Sequence, residues 1–519
     1  MSLPKIVGLE QEYALKLRSP DERAAFHTSC LLVNAYARSI GLREPGLHMV
    51  WDYGHETPYQ DIRGKIFRSA TGQEVMGEDE NRLINAPLPN GARLYTDHAH
   101  PEYSTPECRS ARDAVACEKA GEVILLRALQ LATGDLPDPE TGLFKNNTDH
   151  QGHSYGSHEN YLMEARAHDE WLAGSPERAA KTLIPFLVTR QLLAGAGKVG
   201  GEREGKGVAG YQVSQRADFV EAVFGLATTH SRALINTRSE HHADPRRFRR
   251  LHLILGDANL CEVANFLKIG TTQIVLRMLE DEALPGDWSL RDPVDAVQRV
   301  SRHWDDPVEL ADGRTVTALD VQRHFLAVAR GYVAGGGLQE DPEGEEVLEL
   351  WETVLSGLEH LELSAELEIL ADPGGLARQL DWVLKLWLLN RYRQAKAVGW
   401  DHPYLKTLDL QYHNIHRGQG LFYHLQDRGL VDRIVDDDEI ARFVTEPPAD
   451  TRAWFRGRCI RQFPEALRLV NWEVVGFAQG TVHRVVPLLN PLKGTRVQFE
   501  AVFKRCGSAA ELLAAVSAG

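Results

Sequence analysis

Two glutamates, Glu10 and Glu12, interrupt the apolar run IVGLEQEYAL at residues 6–15. In an extended strand, residues i and i+2 share a face. Ile6, Gly8, Glu10 and Glu12 then point one way, and Val7, Leu9, Tyr13 and Leu15 the other. Two carboxylates at about 6 Å, in an effective dielectric near 20, repel by roughly 3 kcal/mol. That face needs a positive charge or water. The second dense stretch is NGARLYTDHAHPEYSTPEC, residues 90–108. A strand is expected over 91–99, with Arg93, Tyr95 and Asp97 on one face, and Glu102 and Glu107 following in a proline-bearing loop. Carboxylates gathered from two strands suit hard cations such as Mg²⁺, which prefer oxygen ligands. Arg93 beside them suits a phosphate held in fork geometry. A solvated sheet face with routine cross-strand ion pairs is the better reading for either strand alone. The two together favour a site.

Two more segments concentrate polar groups. FKNNTDHQGHSYGSHENYL (144–162) carries Asp149, His150, His153 and His158. INTRSEHHADPRRFRRLHLILGDANL (235–260) carries Arg238, His241, His242 and a basic run at 246–250, then a strand with Arg250, His252 and Ile254 on one face. The 21 histidines raise zinc as a rival metal, but the pairs at 98/100 and 241/242 and the absence of HExxH make that signal weak. A lone histidine on an apolar strand, as at His252, is more often a core residue than a ligand. The company of Glu10 and Glu102 raises its standing. GGEREGKG (200–207) nearly spells a phosphate-binding loop, but Gly207 stands where Ser or Thr must meet Mg²⁺, and the run before it is helix-like. It reads as a surface loop.

The elements that must position these groups are mixed. The chain has 519 residues, 43% hydrophobic and 25% charged, with a formal net charge of −15. That balance fits a globular protein and argues against a general nucleic-acid or anionic-membrane surface. No apolar run is long enough to span a bilayer, and the start MSLPKIVGLEQEY turns acidic at once, so neither a membrane span nor a signal peptide is expected. Six cysteines lie far apart with no CxxC, the pattern of reduced thiols in a cytoplasm. Strands are expected at 4–17, 91–99, 249–257 and around 472–487. Helices are expected at 110–132, at 179–194 with an early break at Pro185, after Pro293, and at 317–333, 345–361, 377–397 and the C-terminus. Residues 43–91 lack periodicity, as long functional or disordered segments do. The class is α+β, with one large domain over 1–440 and a small C-terminal domain over 441–519.

GLEQEY, NGARLYTDHAHPEYSTPEC, LFKNNTDHQGHSYGSHENYL, PFLVTRQLLAGAGKVG, SQRADF, INTRSEHHADPRRFRRLHLILGDANL and TEPPADTRAWFRG together resemble the Pup ligase and depupylase family, relatives of glutamine synthetase. The resemblance covers about residues 5–510. It implies a glutamine synthetase-like large domain, with a curved antiparallel sheet forming a cradle packed by helices, and a small α/β C-terminal domain. The family has a ligase branch and a deamidase/depupylase branch. The latter carries an added loop, which WDYGHETPYQDIRG within 40–90 resembles, and GYQVSQR also looks closer to it. EQEYA stands where the family has ETEYG or ETEFG, and Gln11 points away from the expected site.

Carried over residue by residue, the resemblance implies Mg²⁺ at Glu10, Tyr95 and Glu102, with Glu12, His158 and His252 as further ligands. It implies ATP, or ADP plus phosphate, against Arg93, Thr105 and Trp472, with Arg238 stabilising the oxyanion. Asp97 would be catalytic, attacking the amide carbonyl to give an anhydride that water resolves, or activating a water. The activity implied is cleavage of the isopeptide between Pup and substrate lysines, and deamidation of the C-terminal Gln of Pup. Pup and pupylated proteins, in a pathway linked to the proteasome, would be the partners. Lys198, Arg203, Arg246, Arg247 and Arg249 are candidates by composition for a local basic groove that receives acidic Pup. The alternatives are a Pup–protein ligase of the same fold, a catalytically silent Pup-binding protein, and a zinc hydrolase.

Overall fold

The computed structural model describes residues 2–18, 22–42, 49–52, 60–63, 84–202, 210–228, 231–284, 286–338, 341–361, 374–479 and 482–517. Most of the 40–90 insertion and Arg203 lie outside them. The described chain is α+β, as expected, and divides into two compact units. One comprises residues 6–143, 239–250 and 435–519. The other comprises 1–5, 144–238 and 251–434. This is not the division at 440 expected from the sequence.

In the first unit, strand β1 (Val7–Glu12) pairs antiparallel with β5 (His100–Ser104). β5 pairs with β4 (Arg93–Asp97), and β4 with β3 (Asn85–Pro87). Alternation along β1 is clean: Val7, Leu9 and Gln11 are buried and Gly8, Glu10 and Glu12 half-buried. Helix α1 (Glu22–Ser39) and helix α2 (Ala111–Ala132) pack against each other. Ser110 caps α2 by accepting the Asp113 N–H at 3.0 Å. The last segment of the unit contributes strands Leu467–Val470, Val474–Gln479 and Val482–Pro487. Their edge is completed by β2 (Val50–Trp51), which runs parallel to Leu469–Val470. Buried Glu107 also binds Arg452 and Arg456 of helix Arg452–Gln462. These two ties explain why 435–519 groups with the N-terminal strands.

Glu102 was expected in a loop, and the structure places it in β5. His98 and Ala99 form a two-residue turn, with His98 at φ 51°, so the chain doubles back as a hairpin. A left-handed residue is what such turns require, and histidine supplies it without the Asn-Gly signal that usually marks the turn.

In the second unit, strand Ala233–Asn236 pairs antiparallel with His252 and Leu253 (Ile235↔Leu253, Asn236↔His252) and parallel with Ala222–Gly225. Helix Glu262–Glu280, which the sequence periodicity did not reveal, is buried over all 19 residues. Among its polar members, buried Lys268 donates to Asp257 O and Asn259 Oδ1, each at 3.0 Å. The helix expected at 179–194 is three short ones, Pro176–Lys181, Leu183–Thr189 and Gln191–Ala194. It breaks at Thr182 (φ −133°, ψ −69°), ahead of Pro185. The helices at Pro293–Arg302, Ala318–Ala334, Gly344–Glu359 and Asp381–Lys396 match their expected positions.

Candidate active site

Strand register assembles the site. Glu12 of β1 stands opposite Glu102 of β5, and Glu102 stands opposite Tyr95 of β4. Glu12, Asp97 and Glu102 each offer an oxygen, all within 4.8 Å of one another. The Tyr95 hydroxyl donates to Glu102 Oε1. Glu102 is only 3% exposed. Burial first, and then the charges of Asp97, Glu12 and Glu10, push its carboxyl well above the usual range. Burial and the Glu102 charge likewise raise the Tyr95 phenol. An acidic trio whose buried member Glu102 resists ionisation fits a divalent cation, because hard cations take oxygen donors and relieve like-charge repulsion.

Basic side chains flank the row. His98 Nδ1 lies 3.1 Å from Asp97 Oδ1, and the neighbouring Asp97 carboxylate raises the imidazole to about 9. His100 Nδ1 lies 3.4 Å from Glu12 Oε2. Arg250 reaches Glu10 at 3.9 Å while its other nitrogens bind Glu240 Oε2 and the Glu240 carbonyl, both at 2.8 Å. The positive charge demanded by Glu10 thus comes from Arg250. That pairing is invisible in sequence because the two residues sit far apart in the chain.

The residues expected at a nucleotide are placed as follows. Arg93 is buried, with Cζ 3.8 Å from the Tyr95 ring centroid and Nε donating to Asn85 Oδ1 at 2.8 Å. Trp472 is half-buried, with Arg456 Cζ 4.9 Å from its ring centroid. Thr105 is buried, and its hydroxyl accepts the Leu9 N–H at 2.9 Å, so it also locks β1 in place. In the second unit, Arg238 Nε donates to Leu226 O at 3.1 Å. His158 and His252, both buried, meet edge to face with centroids 5.2 Å apart. Glu107, which the sequence set beside the acidic group, serves otherwise. Arg452 Nε and Arg456 Nη1 bind it at 2.7 and 3.1 Å, and the two guanidiniums hold its carboxyl down at about 2 against the cost of burial. Among the groove candidates, Lys198 is fully buried against Asp218 at 2.9 Å and presents no surface. Arg246 is exposed and paired with Asp244 at 3.0 Å.

Fold and site define an α+β protein in which carboxylates from a β-hairpin and its neighbouring strand converge around buried Glu102, beside an arginine packed on an aromatic ring. A family model described as Pup-ligase protein matches residues 5–476, and the chain belongs to that family. It is 43% identical to the depupylase of Acidothermus cellulolyticus, covering 99% of both chains. It is 40% identical to the Pup deamidase/depupylase of Mycolicibacterium smegmatis, covering 98% of this chain and 99% of that one. A Pup–protein ligase of Kribbella flavida is 44% identical over 75% of this chain and 84% of its own. Among solved structures, the Pup ligase PafA in complex with Pup superposes with a TM-score of 0.75 at 30% identity, covering 96% of this chain and 91% of that one. PafA in complex with ADP gives 0.71 at 32% identity, covering 85% and 99%.

Proposed function

We propose that this protein is a nucleotide- and Mg²⁺-dependent amide hydrolase that releases Pup from substrate lysines and deamidates the C-terminal Gln of Pup. Full-length likeness to relatives named depupylases is the observation that carries this reading, since the ligase relative aligns over only 75% of the chain.

The residues divide the labour. Asp97 is the catalytic carboxylate. His98 holds a proton at Nδ1 beside it, a positive charge that favours the carboxylate form of Asp97. Ionised Asp97 attacks the amide carbonyl, the amide C–N bond breaks as the lysine nitrogen takes a proton from a water molecule and leaves as the amine, and the hydroxide so formed hydrolyses the anhydride, returning Asp97 as a carboxylate. Acting as a base on that water directly is the other route open to the same carboxylate. Glu10, Glu12 and Glu102 are the carboxylate ligands, with Tyr95 fixing Glu102 and the imidazoles of His158 and His252 as further donors. Mg²⁺ held there would supply charge neutralisation and a Lewis acid for the carbonyl. Arg93, Thr105 and Trp472 contact ATP, or ADP plus phosphate, and Arg238 contributes to oxyanion stabilisation. The hydrolysis is downhill, so nucleotide acts as a bound cofactor. Arg246 and Arg247 contribute to the basic surface that meets acidic Pup. No described helix is long and apolar enough to cross a membrane, and the cytoplasm is the proposed location.

The ligase reading is favoured by one observation, that the two solved structures described above are both of PafA. The deciding experiment offers purified protein, Mg²⁺ and ATP two substrates in parallel: a Pup conjugate, and free Pup with a lysine acceptor. Release of free Pup supports the hydrolase. Conjugation without release supports the ligase.

A further inference from the structure

Trp51 belongs to no part of the machinery described so far, yet it sits against two of its members. It lies on β2, whose pairing with Leu469–Val470 fixes its backbone, and its side chain is buried, at 5% exposure. Arg93 Cζ lies 4.3 Å from its ring centroid and 3.8 Å from that of Tyr95. Trp472 meets Trp51 edge to face at 5.0 Å, with an interplanar angle of 76°. Arg456, bound to Glu107, sits over Trp472 in turn. Glu107, Arg456, Trp472, Trp51, Arg93 and Tyr95 therefore form one continuous stack of contacts, part hydrogen-bonded and part edge-to-face, within the first unit.

The geometry of that stack has a chemical consequence. Guanidinium N–H bonds lie in the plane of the group, the plane in which a phosphate is gripped in fork fashion. Two rings in contact with Arg93 restrict that plane, and the Nε bond to Asn85 Oδ1 at 2.8 Å restricts rotation within it. A group fixed before its ligand arrives loses less freedom on binding. The face of a tryptophan also attracts the cation directly, which an aliphatic side chain of similar bulk cannot do. One residue thus orders both the arginine expected at phosphate and the tryptophan expected near the nucleotide.

We propose that Trp51 is a positioning residue of the nucleotide subsite, holding Arg93 and Trp472 in their binding arrangement through its aromatic face. The proposal rests on the assignment of Arg93 and Trp472 to the nucleotide. The test measures ADP affinity in Mg²⁺ for the full-length parent, Trp51→Phe, Trp51→Leu and Arg93→Ala, together with the nucleotide concentration that half-saturates Pup release. Leucine keeps apolar bulk and loses the π face, whereas phenylalanine keeps the face. The expected result is about tenfold weaker ADP binding for Trp51→Leu and no more than about threefold for Trp51→Phe. The loss should appear in the half-saturating nucleotide concentration more than in turnover at saturation. Thermal melts establish that each variant is folded, and Trp51→Phe carries the comparison if Trp51→Leu is not. In that case tenfold weakening by Phe overturns the proposal, and near-parental binding supports it. Parent-like affinity in folded Trp51→Leu, or equal weakening by Leu and Phe, overturns it while leaving the Arg93 assignment intact. No ADP binding by the parent overturns the nucleotide reading itself, and this proposal with it.

Discussion

Two buried glutamates, five positions apart, meet opposite environments. Glu102 lies among Asp97, Glu12 and Glu10, and its carboxyl is pushed well above the usual range. Glu107 lies between Arg452 and Arg456, and its carboxyl is held down at about 2. Burial penalises both equally in kind, so the sign of the neighbouring charge decides the outcome. The comparison separates a site from a brace. Glu107 has its counter-charge built into the chain, whereas Glu102 gathers acids that call for a cation from outside. Acids crowded together in this way are costly to folding and are therefore a marker of function.

The contrast can be broken in graded ways. Asp97→Asn should lower Pup release by about 10³-fold or more, since a single positioned carboxylate contributes on the order of 10²–10⁴ and here carries the attack as well. Circular dichroism should show an unchanged fold. Glu107→Gln should cost about 3–5 kcal/mol of stability in urea unfolding, because it leaves two buried guanidiniums without their anion. The same residue sets a pH limb. Its folded pKa is depressed, so the stability it contributes is present above its ordinary value near 4.5 and is lost as pH falls toward about 2. Melts of Glu107→Gln across that window should show a flatter acid limb than the parent.

Glu102→Gln should do the reverse of Glu107→Gln. It removes an ionisable carboxyl from a crowded acidic row, so the metal-free protein should melt a few degrees higher, while Mg²⁺ loses most of its stabilising effect and Pup release collapses. A lower melting temperature for the metal-free variant would remove the contrast between the two glutamates. The smallest effect concerns the surface. Reversing the charges of Arg246 and Arg247 together should weaken Pup binding several-fold at low salt and less at high salt. Unchanged affinity would take both out of the Pup-binding surface.

How much was legible in the sequence follows from the physics of each element. Glu12, Tyr95 and Asp97 could be read because period-two alternation is local and strong. Glu102 was identified but placed in a loop: the hairpin turns on left-handed His98, and Pro101 looks like a strand breaker. Arg250 was set on the right face, but its partner Glu10 is fixed only by tertiary pairing. Helix Glu262–Glu280 escaped because it is buried all round and so lacks a polar face. The division at 440 ignored β2, a two-residue strand in a stretch without periodicity that nonetheless completes the C-terminal sheet.

The most direct measurement is single-turnover Pup release from a Pup conjugate by the parent and Asp97→Asn, with saturating Mg²⁺ and ATP. Rapid release by the parent and none on the same timescale by the variant is the predicted result. Release by Asp97→Asn at the parental rate would contradict the account, because the carboxylate at the tip of the hairpin would then not be the one that does the chemistry.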